Sequence, residues 1–349
     1  MLLLCLQILS WSYGGVVSLR NLLYDKKIKK RFYYKKPKVI SIGNLSLGGT
    51  GKTPLTIYLV KLLAKGRVIG VLSRGYKRRS IGFKIINESV SPLTAGDEPY
   101  LVYKNFLDHP NVVVAVCENR VKGVAKLMEY RPNVQLILLD DAFQHLSLRP
   151  HLNILLTSFH QPFFKDHVLP LGQLREPRKG ASRADIILVT KSPLNLSQSE
   201  LGTIKSSMQK YHRKEVSVFF THTIYHDPIA IGEVKADKLP VTLLLVTGIA
   251  DSLPLRIYLE KNGHQVKHLA FRDHHWFSDT DILKIINLFH GLDQPDKAIV
   301  TTEKDYIRLL DHSLIKLLFS LPVYYMPIEI GFAEEDKATF ETKVIKFLA

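Results

Sequence analysis

The sequence predicts an α/β protein: a mostly parallel β-sheet with helices on both faces, followed by a smaller α/β domain. Three observations carry that prediction. Short apolar runs of strand length recur through the first part of the chain, with helix-length stretches between several of them. A glycine-rich loop stands between the first of these runs and a helical pattern. A second series of strand and helix signals starts at Val241, and a chain of 349 residues exceeds the size at which one hydrophobic core keeps growing. With 46% hydrophobic residues, a sizeable core can be buried.

At the N-terminus no charged residue precedes Arg20, and the chain opens with Leu2, Leu3, Leu4, Leu6, Ile8 and Leu9. Gln7, Ser10, Ser12, Gly14, Gly15 and Ser18 interrupt this start, so it is less apolar than a good membrane span. It also lacks the basic n-region and small-residue cleavage site of a signal peptide. Lys26, Lys27, Lys29, Lys30, Arg31, Lys35, Lys36 and Lys38 follow, with Phe32, Tyr33 and Tyr34 among them. An uncharged apolar segment with a polybasic flank suits an element lying in a membrane interface over anionic headgroups. The plainer alternative is a packed helix with a solvated basic loop. Residues 1–38 are thus expected to form an interfacial helix and basic segment.

Lys38 to Ile42 is the first strand, ending in Gly43-Asn44, and Pro54 to Leu63 has apolar residues at helical spacing. Between them lies Ser46-Leu47-Gly48-Gly49-Thr50-Gly51-Lys52-Thr53, a P-loop with one departure, since the general pattern would have glycine at 46. Gly48, Gly49 and Gly51 still let backbone amides approach phosphate oxygens. In a P-loop NTPase-like domain Lys52 reaches the β and γ phosphates and Thr53 holds Mg²⁺, so residues 46 to 53 are the expected ATP-binding set. Further strands are expected at Arg67 to Leu72, Val112 to Val116, Val134 to Leu139, Leu152 to Leu156 and Ala184 to Val189, with a helix over Glu118 to Tyr130. The strand at 134–139 ends in Asp140-Asp141, where a Walker-B strand places a carboxylate beside the metal.

A polar helical stretch (Leu196 to Lys214) and a strand-like run (Val216 to Ile224) place the boundary near 215, giving a nucleotide-binding domain at 39–215 and a smaller domain at 216–349. Three polar clusters fall in expected loops: Ser73-Arg74-Gly75-Tyr76, Gly96-Asp97-Glu98-Pro99 and Leu174-Arg175-Glu176-Pro177. Taken singly, each could equally be a plain surface turn. In the second domain Asp273-His274-His275 sets imidazoles beside a carboxylate, without a third ligand at metal-binding spacing.

Together these strings resemble the tetraacyldisaccharide 4'-kinase family of lipid A biosynthesis. In order they are Gly43-Asn44 with the P-loop, Ser73-Arg74-Gly75-Tyr76, Gly96-Asp97-Glu98-Pro99, Asp140-Asp141-Ala142-Phe143-Gln144-His145, Leu169-Pro170 with Leu174-Arg175-Glu176-Pro177, Gly248-Ile249-Ala250, Asp273-His274-His275 and Thr302-Glu303-Lys304-Asp305. Ala142, Gln173 and Lys77 depart from the family's usual glycine, proline and glycine, which bears on backbone geometry rather than on ionisable groups. The resemblance implies ATP and Mg²⁺ as cofactors and a lipid A precursor disaccharide 1-phosphate as the acceptor, phosphorylated on its 4'-hydroxyl. It also implies a β-ribbon joining the two domains and a location at the cytoplasmic face of the bacterial inner membrane, peripheral or monotopic. It assigns Lys52, Asp97 and His274 to catalysis, with Asp97 as base and His274 orienting it or sharing the proton. Thr53, Asp140, Asp141 and Glu98 become the candidate metal ligands, and Asn44, Arg74, Gln144, His145, Arg175 and Glu176 the candidate substrate contacts.

A net charge of +16 attracts phosphate-bearing partners of any kind, and charge alone does not choose among them. Cys5 and Cys117 are far apart and without ligand spacing, which supports neither a disulfide framework nor a structural zinc site. A nucleotide-driven switch would share the P-loop, but its base-reading string has only Thr190-Lys191-Ser192-Pro193 as a candidate, with proline where aspartate belongs. A binding protein without transfer chemistry is the third class. No nucleic acid partner is expected, since no recognition motif accompanies the basic run.

Overall fold

The computed structural model describes residues 2–234 and 238–348; positions 1 and 349 of the expected ranges, and 235–237 within the second, lie outside the described residues. Helix α1 (Leu2–Asp25) leads through the basic segment to β1 (Lys38–Asn44), the P-loop and α2 (Lys52–Leu63). Then come β2 (Ile69–Ser73), β3 (Lys84–Ile85), α3 (Pro92–Ala95), α4 (Asp97–Asn105), β4 (Val112–Val116), α5 (Arg120–Tyr130), β5 (Leu136–Leu139), β6 (Leu152–Ser158), β7 (Ile186–Thr190), α6 (Gln198–Gln209) and β8 (Ser217–Tyr225). The chain continues with β9 (Ile229–Ala230), β10 (Thr242–Thr247), α7 (Leu253–Lys261), β11 (Gln265–Ala270), α8 (Asp279–His290), β12 (Lys297–Thr302), α9 (Glu303–Leu309), α10 (Ile315–Phe319), β13 (Val323–Met326), β14 (Ile328–Phe332) and α11 (Glu334–Lys346).

The large sheet has the order β14-β8-β7-β6-β1-β5-β2-β4-β3, parallel except for β14 and β3 at its edges. Its central strands are buried on both faces, which is why they read as unbroken apolar runs rather than alternating ones. Successive side chains still alternate between two cores. Ile40 and Ile42 join Leu59, Ile69 and Leu156 on one face, while Val39 joins Leu72, Ile137 and Leu139 on the other. The small sheet, β11-β10-β12-β13-β9, is parallel apart from β9 and is packed between α8 on one side and α7 on the other.

The strand-like run at 216–224 does not open the small body. As β8 it pairs with β7 in parallel (Ile186 with Ser217) and with β14 in antiparallel (Tyr225 with Ile328). Phe219 and Phe220 explain the placement, since each enters one of the two cores flanking the large sheet. The chain therefore leaves the large sheet after Tyr225 and returns at Ile328, so β8 and β14 form the ribbon that joins the two bodies. Helix α11 then closes over this edge, with the Phe340 ring 4.8 Å from Phe332 and 5.6 Å from Phe219.

Helix α1 buries a narrow stripe through Ser10 and Val17, while Leu3, Leu4, Ile8, Leu9, Trp11, Val16, Leu19 and Leu22 are exposed. Its inner face is fastened to one loop: Ser10 Oγ donates to Val168 O (2.6 Å), Tyr13 OH to Arg175 O (3.1 Å) and Asn21 Nδ2 to Glu176 Oε2 (2.9 Å). Among the described residues no helix is long and apolar enough to cross a membrane.

Candidate active site

The P-loop turns from β1 into α2 with Gly48 at φ 96° and Gly51 at φ 84°, left-handed values that a side chain would strain. Ser46 stays outside that region and forms an antiparallel bridge with Leu174, so the loop absorbs serine at this position without strain. Thr190 Oγ1 donates to Thr50 O (2.9 Å) and the Leu47 amide to Gln173 O (2.8 Å), holding the loop against its neighbours. Leu47, Gly48, Gly49, Thr50, Gly51 and Lys52 all line a cavity of about 1060 Å³, whose opposite wall comes from the small body through His274, Lys304 and Ile249.

Strand β5 delivers Asp140 and Asp141 beside the loop. Asp140 is almost fully buried, with Thr56 Oγ1 3.4 Å from its Oδ1. Burial, then Glu98 and Asp141, push its carboxyl up to about 7. Its Oδ2 and the Thr53 hydroxyl are both buried without a protein partner, two hard oxygens beside the phosphate loop, as Mg²⁺ requires. No group of three or more His, Cys, Asp or Glu side chains that could hold a metal occurs among the described residues. A magnesium site completed by nucleotide phosphates and water does not need one. The other two candidate ligands are engaged by cations. Asp141, at φ 46°, takes Arg175 Nη1 at 3.0 Å on both oxygens and lies 3.8 Å from Lys52 Nζ. Glu98 accepts from Lys304 Nζ at 2.5 Å. Burial raises both carboxyls, but Lys52 and Arg175 for Asp141, and Lys304 and Lys52 for Glu98, outweigh it and hold them below the usual range.

Asp97 starts α4 just after Gly96, whose φ of 92° would strain a side chain and which packs tightly against the Gly75 backbone. This contact sets Ser73-Arg74-Gly75-Tyr76 against Gly96-Asp97-Glu98-Pro99. Asp97 Oδ2 accepts from Arg308 Nη2 (2.6 Å) and Nε (2.8 Å) and lies 3.2 Å from His274 Nδ1. Burial pushes the carboxyl up, but the His274 hydrogen bond and the Arg308 and Lys304 charges hold it well below the usual carboxylate range. Arg308 is fixed in turn by Gly248 O (2.6 Å) and Asp305 Oδ1 (2.8 Å), and Asp305 Oδ2 accepts from Thr302 Oγ1 (2.7 Å). Asp97 is buried, whereas His274 lines the cavity, so the imidazole stands between the carboxylate and the open space.

The expected substrate contacts divide. Arg74, Gln144, His145 and Arg175 line the cavity; Asn44 and Glu176 are fully buried beside it. Arg74 is exposed and, among the described residues, makes no ion pair, unlike Arg175. Gln144 Nε2 donates to Asn44 O (2.7 Å) and Glu176 Oε1 (2.9 Å), and Glu176 also accepts from Arg183 Nη2 (2.6 Å) and Asn21. Glu176 is thus a tie between α1 and the loop carrying Arg175. Burial and the Arg120 and Arg74 charges push His145 down to about 4. Sequence reasoning did not single out Arg308, Lys304 or Arg120. Arg120 is buried and donates to Asp140 O (3.0 Å), Asp141 O (3.2 Å) and Cys117 O (2.9 Å), fixing the two-acid turn. The Thr302-Glu303-Lys304-Asp305 string was the available signal for Lys304, and nothing in the sequence marks Arg308 apart from other helix arginines.

Residues 2–349 match the profile of the family described as Tetraacyldisaccharide-1-P 4'-kinase. The tetraacyldisaccharide 4'-kinase of Bacteroides thetaiotaomicron is 39% identical over 353 residues, covering 97% of this chain and 91% of its own. That of Flavobacterium johnsoniae is 39% identical over 343 residues, covering 96% and 94%. Among solved structures, the crystal structure of LpxK from Aquifex aeolicus in complex with ATP is similar with a TM-score of 0.74 at 31% identity, covering 100% of both chains.

Proposed function

The chain belongs to the tetraacyldisaccharide 4'-kinase family, and we propose that it carries out this family's transfer with the groups that converge on the cavity between its two sheets. It is an ATP-dependent kinase that moves the γ-phosphoryl group of ATP to the 4'-hydroxyl of a tetraacyldisaccharide 1-phosphate in lipid A biosynthesis. Phosphoryl transfer asks a protein for positioning, for neutralisation of phosphate charge and for a group to take the hydroxyl proton.

In our reading the amides of residues 46–51 and Lys52 hold the phosphates. Thr53 and Asp140 hold Mg²⁺, supported by their two unpartnered buried oxygens. Held by these two residues, the metal would supply positive charge that offsets the charge of the transferring phosphates. Asp141 and Glu98 sit one step back, keeping Lys52, Arg175 and Lys304 oriented. The Asp97–His274 pair takes the acceptor proton: His274 faces the cavity and the ionised Asp97 behind it stabilises the imidazolium that results. Arg74 and Arg175 meet anionic oxygens of substrate, since planar guanidinium forks suit phosphate. Asp97 lies on the large body and His274 and Arg308 on the small one, so the two bodies act as two domains that meet in the reactive arrangement.

The acceptor's acyl chains stay in a bilayer, so α1 is assigned to the interface of an anionic membrane, at the cytoplasmic face of the bacterial inner membrane, with residues 26–36 over headgroups. Its wide exposed apolar face supports this. The observation that carries the reading is the P-loop cavity closed by the cross-body Asp97–His274–Arg308 cluster. The test is transfer of labelled γ-phosphate from ATP to tetraacyldisaccharide 1-phosphate in detergent micelles, with wild type and Lys52→Ala. Label on the lipid that is lost in the variant supports the assignment, and wild-type ATP hydrolysis without lipid label would return the chain to the switch class.

A further inference from the structure

Behind the Asp140–His145 turn, on the face of the large sheet away from α2, lies a second cavity of about 450 Å³. That volume is in the range of small-molecule sites. Its wall includes Ser41 on β1, Asn153 on β6, and Arg31, Arg149, His151 and Arg183 from the surrounding segments. Ser41 and Asn153 are 2% and 8% exposed, and Ser41 Oγ and Asn153 Oδ1 have no protein partner. Three more wall atoms are buried without a partner: His151 Nε2, Arg31 Nε and Arg183 Nε. The Val39 amide donates to His151 Nδ1 (3.0 Å), so the ring proton is on Nε2 and all three are donors. A buried polar group left unmet destabilises the fold, and here the residues that carry five such atoms line one space.

The charges choose among fillings. Arg31 is paired with Asp25, Arg183 with Glu176, and Arg213, also in the wall, with Asp185. Arg149 is exposed and has no acid among the described residues; its guanidinium lies 6.0 Å from the centroid of the Tyr33 ring. Donors and positive charge exceed acceptors, and the exposed Lys26, Lys27, Lys29, Lys30, Lys35 and Lys36 surround the segment that carries Arg31. The segment itself is fixed at the cavity, with the Phe32 amide donating to Ser147 O (2.7 Å) and the Arg149 amide to Phe32 O (2.8 Å). Water would satisfy single atoms, but an anion meets several of these donors at once, and the four arginines of the wall outnumber its one carboxylate, Asp185. We propose that this cavity is a second anion site, separate from the P-loop, that takes a phosphate-bearing group. A phospholipid headgroup and a free phosphate ester share that chemistry.

The test uses the full chain in detergent with the P-loop saturated by Mg²⁺ and a non-hydrolysable ATP analogue. It is titrated calorimetrically with sn-glycerol 3-phosphate, with phosphatidylglycerol in mixed micelles, and with glycerol as the uncharged control. Saturable binding of either phosphate probe, absent for glycerol and weakened at least tenfold in Arg149→Ala, supports the site. The probe that binds names the source. Ser41→Val, which replaces the buried hydroxyl of the wall by methyl groups while Arg149 remains, weakens binding as well and leaves lipid phosphorylation at its wild-type rate. No saturable binding of either phosphate probe, or equal binding in both variants, overturns the proposal and leaves the cavity to water.

Discussion

Replacing Asp140 by asparagine should stabilise the nucleotide-free protein while abolishing transfer. The carboxyl is buried beside Glu98 and Asp141 and is pushed from 3.8 to about 7 in the fold. A raised carboxyl pKa means that folding favours the protonated form. Its stabilising contribution is complete below the unfolded value near 4 and is lost as pH rises through about 7. At about 1.4 kcal/mol per unit, ionising Asp140 costs the metal-free fold about 4 kcal/mol at pH 8 and under about 2 kcal/mol at pH 5. Asparagine keeps the shape and an acceptor for Thr56 while removing that charge. Thermal denaturation in chelator should therefore show Asp140→Asn gaining several degrees over wild type at pH 8 and less at pH 5. Adding Mg²⁺ and ATP should reverse the order, since only wild type then gains a compensating cation. Equal destabilisation at both pH values, with an unchanged ligand-induced shift, would refute the reasoning.

Arg308→Lys keeps the charge but loses the fork that grips Asp97 with two nitrogens, so kcat should fall about 100-fold with little change in KM for ATP. A large rise in that KM instead would place Arg308 at the nucleotide. Leu4→Asn, Ile8→Asn and Leu19→Asn combined replace exposed side chains of α1. Flotation with phosphatidylglycerol vesicles should drop at least tenfold while the melting temperature stays within a few degrees; undiminished flotation would detach α1 from membrane binding.

The P-loop was legible because its chemistry is local: glycines, lysine and threonine act within one turn between a strand and a helix. The two acids at 140–141 were legible for the same reason, as the end of an apolar strand. The β8 placement was not, because the run at 216–224 carries the same apolar pattern whether it ends one sheet or starts the next. What decides it is the partnering of Phe219 and Phe220 with distant cores. Glu176 was read among the substrate contacts from its motif, while its burial depends on Asn21 and Arg183 arriving from elsewhere in the chain. Arg308 was invisible for a stronger version of this reason. An arginine on a short helix looks like a solvated residue until Asp97 is brought to it from a position 211 residues away.

The central claim is that Asp97 and His274, carried on different bodies, act as one unit in taking the acceptor proton. A double-mutant cycle on kcat for lipid phosphorylation tests it most directly, with Asp97→Ala, His274→Ala and the double variant at matched saturation. The account predicts that each single change lowers kcat by about 10²–10⁴ and that the double variant is little worse than either. Fully multiplicative losses, or either single variant retaining wild-type kcat, would contradict it.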